Sequence, residues 1–115
     1  MIDRLIMGMD LRSETGAEFR LSRNAWLHIL ELAKEYGWEP LGTIPPTFDD
    51  PLRNLEYKDW EGGYDTNEYQ IVTDVDSAEM ASALENALQD IASREESVLL
   101  AGFISFAKKG SFSID

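Results

Sequence analysis

Three stretches of the chain repeat apolar residues at helical spacing, and short alternating runs surround them. Trp26, Ile29, Leu30, Ala33 and Tyr36 recur on one face of a predicted first helix, with Asn24, His28, Glu31 and Glu35 opposite. Ser22 supplies an N-cap and Gly37 a left-handed stop. A second helix is predicted from Asp76, read as its cap, with Glu79 completing a capping box. Its buried stripe is Met80, Leu84, Ala87, Leu88 and Ile91. Ser93 with Glu96 repeats the capping pattern ahead of a third helix. Leu99, Leu100, Phe103, Phe106 and Ala107 form its apolar face, Lys108 and Lys109 suit its C-terminus, and Gly110 ends it. A strand through 98–106 is the alternative for that run.

Strand signals are shorter. Leu5 to Leu11, the turn residues Ser13 to Gly16, and alternating Phe19 and Leu21 predict an N-terminal hairpin. Trp38 to Ile44 reads as extended, Glu68 to Thr73 as a strand carrying Tyr69, Ile71 and Val72, and Ser111 to Ile114 as a short terminal strand. Between them, Pro40, Pro45, Pro46 and Pro51 interrupt the chain, so neither a helix nor a central strand is expected across 45–66. The pattern predicts one α+β domain over 1–115, with three helices packed on a small, mainly antiparallel sheet.

Charge changes this picture in one place. The net charge is −12, and residues 49–76 hold nine acids against Arg53 and Lys58. Such a surface repels phosphate backbones, so nucleic acid is not an expected partner, whereas a basic protein is. Solubility alone would also account for the charge. There is no cysteine, which removes thiolate chemistry and disulfides and fits a reducing, cytoplasmic setting. No apolar run reaches signal-peptide or membrane-span length, so no membrane partner is expected.

The phrase from Trp26 to Thr43, ending Ala33-x-x-Tyr36-Gly37-Trp38-x-Pro40-x-Gly42-Thr43, resembles a family of small, uncharacterised bacterial proteins whose helix ends in A-x-x-Y-G-W-x-P-x-G-T. The segments Tyr64–Leu88 and Phe103–Ile114 are similar to later parts of the same family. The resemblance implies kinship and carries no activity or catalytic residue with it. It also implies a glycine where this chain has Tyr69, which bears on the local turn and on the length of the 68–73 strand. The first eight residues look like an extension.

Candidate chemistry is sparse. His28, the single histidine, has Glu31 and Glu35 on its face, but the spacing matches no helical metal site and the face is a solvated one. Asp49 and Asp50 read as turn formers before Pro51. Asp65, Asn67 and their neighbours lack EF-hand spacing. Neither a nucleophile elbow, a P-loop nor a dinucleotide fingerprint occurs, so no catalytic residue, metal or cofactor is expected. The residues that stand out are Tyr57, Asp59, Trp60, Glu61, Tyr64 and Asp65. Rings beside carboxylates are what a protein uses to grip a basic partner. Alternatively, Trp60 and Tyr64 fold back to close the core beneath the loop.

These readings favour a non-enzymatic binding or adaptor protein that uses the acidic 49–76 segment, specifically an immunity-type inhibitor of a basic partner. Two others stand beside it: a small hydrolase or ligand-binding enzyme with a carboxylate site in 45–66, and a structural homodimer joined through the third helix.

Overall fold

The computed structural model describes residues 8–115. The part of the expected hairpin before Gly8, and the extension suggested by the resemblance, lie outside the described residues. Strand β1 (Gly8–Ser13) turns through Thr15-Gly16 into β2 (Glu18–Ser22), paired antiparallel from Gly8 against Ser22 to Arg12 against Glu18. Chain order continues with α1 (Arg23–Glu35), the one-turn helix α2 (Pro51–Leu55), β3 (Gln70–Val72), α3 (Asp74–Leu88), α4 (Arg94–Ala107) and β4 (Phe112–Ile114). The four strands lie in the order β2-β1-β4-β3, all antiparallel. The protein is thus α+β, with three long helices and one short one among the described residues.

Alternation along the strands decides which face is covered. Met9, Leu11, Val72, Phe112 and Ile114 are buried, while Arg12, Glu18 and Arg20 are exposed. Beneath the sheet, Trp26 of α1 and Phe103 of α4 meet edge to face at 5.8 Å. Phe112 lies 6.0 Å from Phe103 and 5.3 Å from Phe106, so helix and strand share one aromatic core. The apolar face expected for the third helix is this inward face of α4: Leu100, Phe103, Ile104, Phe106 and Ala107 are all buried. The run 98–106 is helical, and Ser93 caps it by accepting from the Glu96 amide.

Four local expectations are corrected. A helix does form in the proline-rich segment, because Pro51 stands at its first position, where a missing N–H costs nothing. Asp50, expected to be a turn former, caps that helix by accepting from Leu52 N at 2.9 Å. The cap of α3 is Thr73 rather than Asp76: Thr73 Oγ1 accepts from the Asp76 amide at 3.2 Å. Lastly, the 68–73 strand is only three residues long and turns Gln70 and Val72 inward, leaving Tyr69 and Ile71 exposed.

Immediately before this strand the backbone is strained at Tyr69. Its φ of 66° is left-handed, a conformation that costs a residue with a Cβ roughly 1–2 kcal/mol. The Tyr69 ring is 62% exposed, so little packing is at stake. Tyr69→Gly is therefore expected to stabilise the fold by about 1 kcal/mol, read as a higher urea midpoint at unchanged slope.

Candidate functional site

Local chain chemistry brings two distant loops together. Gly42 (φ 106°) and Gly62 (φ 77°) both take left-handed backbone, which lets segments 41–44 and 60–64 run side by side. Thr43 N donates to the Gly62 carbonyl at 3.1 Å, and Thr43 Oγ1 donates to the Gly63 carbonyl at 2.7 Å. Trp60 Nε1 donates to the Thr43 carbonyl at 3.1 Å. Farther on, the fully buried Gln70 holds the loop's end, donating to the Thr66 carbonyl at 2.6 Å and accepting from Glu68 N at 2.8 Å. Arg23 of α1 donates to the Asp65 carbonyl at 2.7 Å.

Asp76 ties these segments to the core. It is fully buried, and both carboxylate oxygens accept hydrogen bonds. Trp38 Nε1 donates at 3.1 Å, Leu41 N at 3.2 Å, and the Tyr64 hydroxyl also donates to it. That hydroxyl in turn accepts from Gly42 N at 2.8 Å. Desolvation, reinforced by the bond to Asp76, pushes the Tyr64 phenol above its ordinary pKa of 10.0. Because the folded form holds its proton where the unfolded chain would release it, Tyr64's contribution is complete below pH 10 and is lost as pH rises further. Stability is expected to fall on the alkaline side, and Tyr64→Phe to flatten that fall in a pH series of urea melts.

Trp38, Leu41 and Gly42 each contribute a donor to this network, and Thr43 makes three of its bonds. Asp76 was missed as a hub because a carboxylate near a helix start reads first as a cap. The available signal was that Thr73, three residues earlier, is also a good cap.

The six residues singled out in the sequence divide into two groups. Tyr57, Asp59, Trp60 and Glu61 lie together. Trp60 is half-buried, with Tyr57 5.8 Å from it and Phe48 5.9 Å beyond Tyr57. Two grooves meet at the Trp60 ring. One, of about 250 Å³, is lined by Glu56, Asp59, Glu61 and Glu68. The other, of about 410 Å³, is lined by Leu41, Pro45, Tyr57 and Lys58. Tyr64 and Asp65 instead border a groove of about 570 Å³ against Leu27, Leu30 and Lys34 of α1. The Tyr64 ring meets Trp38 edge-on at 5.1 Å, so this tyrosine does fold back onto the core. Trp60 does both: its indole N–H is anchored inward while its ring lines the surface.

Five acids elsewhere, Asp10, Glu18, Glu85, Glu96 and Asp115, stand in ion pairs. Asp10 meets Arg20 at 2.7 Å, Glu85 meets Lys108 at 2.6 Å, and His28 meets Glu96 across α1 and α4 rather than Glu31 or Glu35. Among the described residues, Glu56, Asp59, Glu61 and Glu68 make no ion pair within 4.0 Å. Nor, among the described residues, do any three histidines, cysteines or carboxylates stand close enough to share a metal ion. No described helix is long and apolar enough to cross a membrane. No family model, curated protein or solved structure matches the chain.

Proposed function

We propose that this protein is a binding or adaptor module whose acidic surface, from Asp49 to Glu68, engages a basic protein in the manner of an immunity-type inhibitor. One observation carries the reading. Trp60 is anchored through its indole N–H to Thr43, and four carboxylates without a cationic partner among the described residues flank its ring. A pre-positioned aromatic offers contact area at little entropic cost, and unpaired acids steer a cationic partner toward it. Asp76 drops out of this surface because it is buried, and Asp74 is engaged with the Ser111 amide at 2.7 Å.

The test is association with a basic protein isolated from the native host, followed by calorimetry at rising salt. Binding should weaken steeply with ionic strength, since charges more than about 8 Å apart are screened at physiological salt. Asp59→Asn with Glu61→Gln should weaken it by about tenfold or more, a change of about 1.4 kcal/mol. Salt-insensitive binding, or the absence of any basic partner, would overturn the proposal.

A further inference from the structure

The two grooves beside Trp60 differ in chemistry, and the difference specifies the partner more narrowly than charge does. On one side are Glu56, Asp59, Glu61 and Glu68. On the other, Leu41, Pro45 and Tyr57 supply apolar surface beside Lys58 and beside Glu61, which both grooves share, and Leu41 is 69% exposed. A single open aliphatic side chain is ordinary on a protein surface; Leu41 matters because it lines one groove with Pro45, Tyr57 and Trp60. Trp60 belongs to both grooves, so one ligand segment crossing its ring reaches both sides.

We infer that the surface recognises an extended segment of another protein that carries an arginine or lysine and a large apolar residue on either side of the Trp60 ring, the cation among the carboxylates and the apolar residue against Leu41, Pro45 and Tyr57. This rests on the binding reading above and goes beyond it: the partner must supply grease as well as charge. Charge complementarity selects the occupant. A second copy would bring equal negative charge to the same groove, and like charges facing each other oppose docking. The carboxylates are spread along the groove rather than gathered around a point, which suits a guanidinium with several donors better than a compact ion. Arginine also stacks on an indole face.

Three synthetic peptides of equal length test this: one of arginine and leucine, one with serine replacing leucine, and one with glutamate replacing arginine. Fluorescence anisotropy of the labelled peptides against the full chain is the readout, at low and high salt. The arginine–leucine peptide is expected to bind at least about tenfold more tightly than either counterpart. It should also keep more of its affinity in high salt than the arginine–serine peptide, because apolar contact is not screened. Leu41→Ser should abolish the preference for leucine. Asp59→Asn with Glu61→Gln should abolish the preference for arginine. Glu79→Gln with Glu95→Gln, which changes exposed acids on α3 and α4, should do neither.

Equal binding of the two arginine peptides, or loss of binding in the α3 and α4 variant as large as in the loop variant, overturns the inference. Equal binding of the two leaves the acidic-surface reading standing, whereas failure of all three peptides to bind, together with no basic host partner, removes both. Circular dichroism on each variant shows that the fold is retained; each altered side chain is exposed, so a lost signal reports the surface.

Discussion

Asp76→Ala is expected to destabilise the protein by roughly 3–5 kcal/mol, a large share of the 5–15 kcal/mol typical of a whole domain. The substitution removes the acceptor for Trp38 Nε1, Leu41 N and the Tyr64 hydroxyl at once. A hydrogen bond to a charged group is worth roughly 1.5–3 kcal/mol net, and a buried donor left without an acceptor costs about 1–3 kcal/mol. The sum is not reached, because the Leu41 and Tyr64 donors are only part-buried and water can reach them. Asp76→Asn keeps the shape and one acceptor oxygen, which can still serve Trp38 and Leu41. It should cost less, about 1–2 kcal/mol. Urea denaturation followed by circular dichroism gives both values. Equal losses for alanine and asparagine would show that charge, rather than the number of acceptors, sets the cost. A loss below about 1 kcal/mol for alanine would show that the hub is not energetically coupled to the fold.

Gly62→Ala should cost about 3 kcal/mol, for two separable reasons. The residue sits at φ 77°, where a Cβ costs roughly 1–2 kcal/mol. That Cβ would also stand 2.9 Å from Gly42 Cα and 3.3 Å from Thr43 N. Both neighbours are backbone and cannot rotate away. Relieving the overlap means parting the two segments and stretching the Thr43–Gly62 hydrogen bond, worth about 1 kcal/mol. Gly16→Ala is the matched control. Its φ of 91° carries the same backbone penalty, but a Cβ there meets nothing within 4 Å. It should cost only about 1–2 kcal/mol. The difference between the two variants measures how closely the loops approach, and equal losses would remove the overlap from the account. Since Trp60 is anchored to Thr43, Gly62→Ala should also shift its fluorescence and weaken any binding at that surface.

Much of the scaffold was legible in the sequence. Helical periodicity placed Trp26, Ile29, Leu30 and Ala33 on the inner face of α1, and Ser22 and Ser93 read correctly as caps. Gly37 takes the left-handed backbone expected of it just past α1, and Gly110, also left-handed, follows the end of α4. The acidic, proline-interrupted segment and its aromatics were visible as a distinct region. That Trp60 and Tyr64 could fold back was one of two readings of those aromatics; that Thr43 and Asp76 would be their anchors was not legible. Nor was the open side chain of Leu41 beside the acids, because nothing in its immediate neighbours marks it as exposed.

What the sequence by itself determined is whatever depends on neighbours three or four residues away: the three long helices, the caps of α1 and α4, the described part of the hairpin and the alternation that buries one face of the sheet. Tertiary structure alone decided the inward turn of Gln70, the role of Asp76 and the division of the six candidate residues between two sides. The physical reason is the range of the interactions. A helix repeats its own register every turn, so spacing reveals it. The partners of Asp76 lie 38, 35 and 12 residues away, and a hydrogen bond across such a gap leaves no period in the chain.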